Sequence, residues 1–132
     1  MSNRNGGQLE GRILVVDDLA DAAASLALVC RLCGAEVQVA RDGLEALAIG
    51  ATFRPDVVLM DITMPKLNGY EAARRLRAEP WGQSVVLIAM TGWGRKTDIE
   101  AASDAGFDGH LLKPVEADAL LELIAELRAK PK

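Results

Sequence analysis

From residue 12 to residue 129, short apolar runs alternate with longer stretches of helical period. RILVVDD (12–18), PDVVLMD (55–61) and SVVLIAMTG (84–92) carry near-continuous apolar residues, the pattern of strands covered on both faces. EVQVA (36–40) is short and alternating, which predicts a less buried edge strand, and DGHLLKP (108–114) supplies a fifth. Between them lie five helical segments. Residues 19–33 place Leu26, Val29, Leu32 and Cys33 along one stripe, with Gly34 where a C′ glycine belongs. DGLEALAIGAT (42–52) starts on Asp42 as N-cap. YEAARRLRAE (70–79) and KTDIEAASDAG (96–106), the latter closed by Gly106, follow. EADALLELIAELRA (116–129) turns Leu120, Leu123, Ile124 and Leu127 inward. This alternation predicts an α/β fold: a doubly wound parallel sheet of five strands with right-handed crossovers and five helices.

A length of 132 residues fits one domain, here residues 11–130, preceded by a flexible tail over 1–10 (MSNRNGGQLE). Half of the residues are hydrophobic but only 4% are aromatic, so Ala, Leu, Val and Ile must build the core. A net charge of −4 argues against a nucleic-acid surface, which needs a basic face. No apolar run approaches the roughly 20 residues that span a bilayer, and the N-terminus lacks a signal-peptide core. These features read as a cytoplasmic chain without membrane contact. Cys30 and Cys33 have CxxC spacing, but they lie within the helical stretch LALVCRLCGA and no second pair completes a zinc site. They are expected to be buried thiols.

In a doubly wound sheet, functional groups collect outside the carboxyl ends of the strands. Strand one ends in Asp17 and Asp18, strand three in Asp61, strand four in Thr91 and strand five in Lys113. Each residue alone has a bland reading: Asp18 or Asp61 as a cap, Thr91 as a turn, Lys113 as a solvated cation. Their joint placement is harder to explain that way. Carboxylates about 4 Å apart repel by about 4 kcal/mol at an effective dielectric of about 20. A hard divalent cation and the Lys113 ammonium would relieve that repulsion. A cation, a lysine and a hydroxyl around an exposed carboxylate suit in-line phosphoryl transfer, in which aspartate can be the nucleophile.

With these residues in view, ILVVDD, VVLMDITMPKLNGYE, AMTG and LLKP together resemble the receiver domain of a two-component response regulator, from about Arg12 to Arg128. The resemblance implies a flavodoxin-like strand order 2-1-3-4-5. It implies Asp61 as phosphoacceptor, with Mg²⁺ (or Mn²⁺) held by Asp17, Asp18, Asp61 and the Thr63 backbone carbonyl. Thr91 would hydrogen-bond the phosphoryl group and Lys113 would pair with it. Met64–Pro65, Asn68 and Gly69 match the loop after the acceptor strand, and the Lys113–Pro114 peptide is typically cis in this family. The implied partner is a histidine kinase or a His-containing phosphotransfer protein, with no direct nucleic-acid contact. Apolar residues of strand four and helix four could support homodimerisation on phosphorylation.

Three positions depart from the family's usual pattern. Gly92 stands where alanine is usual after Thr91. His110 occupies a switch position, three before Lys113, that is often Tyr or Phe. Trp93, two after Thr91, is expected to overhang the site and hinder the attacking water; Trp93→Ala should then shorten the phosphoryl lifetime, and an unchanged lifetime would refute that role. Other functions fit less well. A metal-dependent aspartyl-phosphate phosphatase of the haloacid-dehalogenase type usually carries a DxD pair, whereas strand one here reads VVDDLAD, and 132 residues leave no room for a cap domain. A nucleotide-binding module would need a GxGxxG or Walker loop after strand one, and neither is present.

Overall fold

The computed structural model describes residues 9–62, 69–92 and 96–129. Five strands, β1 (Arg12–Val16), β2 (Glu36–Ala40), β3 (Val57–Asp61), β4 (Val86–Thr91) and β5 (Gly109–Leu112), form one sheet in the order β2-β1-β3-β4-β5. Every pairing is parallel. Five helices connect and follow them: α1 (Ala20–Leu32), α2 (Gly43–Phe53), α3 (Gly69–Ala78), α4 (Lys96–Ala105) and α5 (Ala117–Ala129). Every element expected from the apolar pattern is present. The expected strand ends overran at Asp17–Asp18, Gly92 and Lys113–Pro114, of which only Asp17 is buried.

The period of two along each strand divides the core into two layers. Leu14, Val16, Val58, Met60, Leu87 and Ala89 face α2, α3 and α4. Ile13, Val15, Val57, Leu59, Ile88 and Met90 face α1 and α5. All residues of β3 and β4 are buried, whereas the edge strands β2 and β5 are only partly covered. The layers are thin because alanines form much of the helix contact: Ala23 and Ala27 of α1, Ala72 and Ala73 of α3, and Ala102 and Ala105 of α4.

Local signals account for several boundaries. Asp42 caps α2, its side chain accepting a hydrogen bond from Glu45 N at 2.8 Å. Gly34 and Gly106 follow α1 and α4 with φ of +106° and +110°, a region that glycine enters without Cβ strain.

The structure corrects three expectations. The buried stripe of α1 is Ala23, Ala27 and Cys30, not the set that includes Leu32, which is 78% exposed. Leu26, Val29 and Cys33 lie at the margin of that stripe and are half-buried, so only one of the two thiols, Cys30, is fully covered. Small residues take the inward positions because α1 lies close to the sheet. On α5, Leu120, Ile124 and Leu127 are buried as expected, while Leu123 is half-buried. Leu9 is 4% exposed and its N–H donates to Cys33 O at 2.6 Å. A 3₁₀ turn at Pro80–Gly82, absent from the apolar pattern, brings the Trp81 ring against Gly50.

Arg77 of α3 ties together the amino-terminal rim of β4 and β5. Its guanidinium donates to Val85 O (2.8 Å), Gly82 O (3.0 Å) and Gly106 O (2.8 Å), and it pairs with Asp108 at 2.9 Å. Asp108 also accepts from Leu87 N at 2.9 Å. Arg77→Met keeps the aliphatic stem but orphans several acceptors, and should cost about 1–2 kcal/mol in urea unfolding. An unchanged midpoint would show that water replaces the guanidinium without loss.

Candidate functional site

The carboxyl edge of the sheet collects the acids through strand register. Val16 lies beside Met60, so the next residues, Asp17 and Asp61, are neighbours as β1 and β3 end. Both are 2% exposed, whereas Asp18 is exposed. Carboxylate oxygens of all three lie within 4.8 Å of one another. Asp18 is not a helix cap: Leu19 occupies the N-cap position of α1 without a side-chain bond. It is Asp17 whose Oδ1 accepts from Leu19 N, at 3.0 Å.

Lys113 completes the cluster. Its backbone N–H donates to Thr91 O at 2.8 Å, which fixes the residue beside the end of β4. Its Nζ donates to Asp61 Oδ2 at 2.7 Å and to Asp17 Oδ2 at 3.0 Å. Burial alone would lower the lysine pKa, but hydrogen bonds and charges from Asp61 and Asp17 outweigh it and the net shift is upward. The ammonium therefore persists throughout the neutral range. The Lys113–Pro114 peptide bond is cis.

Thr91 is 2% exposed and follows Met90, the register partner of Asp61, so it borders the acidic cluster from the β4 side. Alternation along the strands gives it a different parity. Asp17, Asp61 and Lys113 continue the positions that face α1 and α5, whereas Thr91 continues those that face α2, α3 and α4. His110 is half-buried on β5 opposite Ala89, one pleat away from the Thr91–Leu112 pair. Gly92 is exposed, and a Cβ built there meets nothing within 4 Å. Thr63, Met64, Pro65, Asn68 and Trp93 lie outside the described residues.

Gly69 shows why a glycine is needed at the start of α3. A Cβ there would come within 2.8 Å of the Asp61 carbonyl oxygen, which belongs to the backbone of β3. Gly69→Ala must displace either the helix or the strand end that carries Asp61. We expect about 1–3 kcal/mol of destabilisation, the usual cost of overpacking, read as a lower urea midpoint. Full retention of stability would mean that the helix start yields freely.

An apolar groove of about 430 Å³ opens beside the cluster, where Leu26 and Val29 of α1 face Met90, Pro114 and Val115. Sequence reading missed it, since its walls come from segments distant in the chain. A cavity of about 540 Å³ near Asp56 and Trp81 lies at the opposite, amino-terminal edge and shares none of these acids.

The response regulator receiver domain family matches residues 13–125. The chain belongs to this family. Receiver domains are signalling switches. A relative, the response regulator MprA of Mycobacterium sp. (strain KMS), is 41% identical over 118 residues, covering 89% of this chain and 49% of that protein. MprA of Mycobacterium avium (strain 104) is 40% identical over 118 residues, covering 89% and 50%. The chain thus spans about half the length of the curated relatives it matches. Among solved structures, a response regulator from Chloroflexus aurantiacus J-10-fl superposes with a TM-score of 0.85 at 30% identity, covering 92% of this chain and 100% of that one. The receiver domain of the sensor histidine kinase PA1611 from Pseudomonas aeruginosa PAO1, with magnesium in its active-site cleft, gives a TM-score of 0.83 at 30% identity and the same coverage. The receiver fold and the strand order expected from the resemblance are both present. No helix among the described residues is long and apolar enough to cross a membrane.

Proposed function

We propose that this receiver domain accepts a phosphoryl group on Asp61 from a phosphohistidine of a histidine kinase or a His-containing phosphotransfer protein. The observation that carries the reading is the Lys113 ammonium shared between Asp61 and Asp17 at the rim of two buried strands. An Asp61 carboxylate oxygen bonds to phosphorus as the phosphorus–nitrogen bond breaks, and the imidazole leaves with that electron pair. Lys113 offsets charge on the transferred group, and the Thr91 hydroxyl donates to one of its oxygens.

The donor set fits Mg²⁺ (or Mn²⁺): hard carboxylate oxygens from Asp17, Asp18 and Asp61, two buried and one exposed. When bound, the cation would neutralise charge on the phosphoryl oxygens. The Thr63 carbonyl remains a proposed further ligand. Modification would alter partner binding through the face around β4 and β5, with His110 as a polar substitute for an aromatic switch residue and homodimerisation as one form of output.

Incubating the chain with acetyl phosphate should add one phosphoryl group, seen by intact mass, with Mg²⁺ and not with EDTA. A mass unchanged under both conditions would remove the phosphoacceptor reading.

A further inference from the structure

We propose that the cavity at the amino-terminal edge of the sheet binds a purine nucleoside monophosphate, its phosphate on Arg54 and Arg128 and its base against Trp81. The cavity measures about 540 Å³, within the roughly 300–1,000 Å³ usual for small-molecule sites. Its charged lining residues are Arg54, Arg128 and Asp56, two cations against one anion in a chain of net charge −4. The backbone around it is held in place. Arg77 gathers Gly82 O and Val85 O, Val86 N donates to Asp56 O at 3.0 Å, and Asp56 N donates to Arg12 O at 2.8 Å.

Arg54 follows α2 at φ 54° and ψ 64°, the only positive φ outside glycine among the described residues, and a proline comes next. Glycine would take that backbone without Cβ strain, so an arginine there calls for a use of its side chain. Its Nε donates to Ala51 O at 3.2 Å, which leaves both terminal nitrogens without a partner among the described residues. Arg128 is exposed and makes no hydrogen bond or ion pair among them either. Two unpaired guanidinium forks suit a phosphate, which each can meet in bidentate fashion. Trp81 is half-buried, its benzo edge seated on Gly50 where a Cβ would overlap it. Its buried indole N–H has no partner among the described residues, an unmet donor that needs an acceptor. A nucleotide supplies a flat base to stack on the ring and ribose and phosphate oxygens for the donor, reached by a side-chain shift of the kind common on binding. Asp56 accepts from Arg12 N through Oδ2 at 2.8 Å, and Oδ1, unused among the described residues, can accept from the exocyclic amino group of adenine or guanine. Inorganic phosphate would engage the arginines and leave Trp81 and Asp56 unserved.

Calorimetric titration of the full chain with AMP and with GMP, followed in parallel by heteronuclear NMR, tests this. At least one of the two should bind with Kd below about 1 mM and move the Trp81 indole N–H signal, identified by its loss in Trp81→Phe. Inorganic phosphate and ribose phosphate, which lack the base, should bind at least tenfold more weakly. Arg54→Gly suits the left-handed backbone, so it should leave the urea midpoint nearly unchanged while weakening the nucleotide at least tenfold. Arg128→Gln should weaken it at least tenfold with unchanged circular dichroism. No binding of either nucleotide up to about 5 mM overturns the proposal. Equal affinity for ribose phosphate overturns it too, reducing the cavity to an anion site. Full affinity in Arg54→Gly or Arg128→Gln, or binding that leaves the Trp81 signal in place, puts the nucleotide elsewhere and overturns it equally.

Discussion

Asp61→Asn should reduce phosphorylation by acetyl phosphate to background while leaving the fold at least as stable as the wild type. An amide nitrogen or carbonyl does not replace the carboxylate as nucleophile, so the mass gain is lost whatever the Mg²⁺ concentration. The stability arm follows from electrostatics. Three carboxylates have oxygens within 4.8 Å of one another, and two of them, Asp61 and Asp17, share the Lys113 ammonium. Removing one negative charge relieves repulsion with the other two, and the amide oxygen can still accept from Lys113. A variant inert to acetyl phosphate but with an unchanged or raised urea midpoint separates chemistry from folding. Retained mass gain would place the acceptor elsewhere. A large loss of stability would mean that the Lys113–Asp61 attraction exceeds the repulsion.

Lys113→Met should have the opposite stability effect. Asp17 and Asp61 have side chains only 3% exposed, and losing their shared cation leaves two buried charges without it. Breaking a buried ion pair costs about 3–5 kcal/mol, and since Lys113 is itself 26% exposed, about 2–3 kcal/mol is expected in EDTA. Saturating Mg²⁺ should recover part of the loss if the three acids bind it, because a ligand of the native state alone stabilises by mass action. The urea midpoint in EDTA and in Mg²⁺ reads both effects; no loss in EDTA would show that water already screens the acids. The pH dependence has a definite sign. The folded pKa of Lys113 lies above its ordinary value of 10.5, so the stabilisation is complete below that value and is lost as pH rises through the folded pKa. Wild type should therefore lose this contribution only at alkaline pH, and Lys113→Met should show no such loss.

The fold was legible because the apolar runs are long and their periods unambiguous. VVLMD and VLIAMT have no polar interruption before their last residue, and both are buried throughout. The clustering of Asp17, Asp18 and Asp61 was legible for the same reason: an acid that ends such a run is delivered to the sheet's carboxyl rim. What escaped was set by contacts between distant segments. Leu32 follows helical spacing as well as Cys30 does, and only the close approach of α1 to the sheet decides which faces inward. Arg77 resembles Arg74 and Arg75 in sequence, yet it alone of the three gathers the carbonyls of Gly82, Val85 and Gly106 among the described residues. The Asp17 bond to Leu19 N likewise has no signature, since either aspartate of the pair could have made it.

The alternation that puts Lys113 and Thr91 on opposite parities has a mechanical consequence. Among the described residues, the buried side chains form two separate clusters on either side of the strand backbones. A phosphoryl group on Asp61, held by Lys113 from one layer and Thr91 from the other, would act as a cross-link at their common rim. Slippage of one helical layer past the other would then be opposed at the carboxyl rim, the end of the sheet opposite the one where Arg77 gathers its carbonyls.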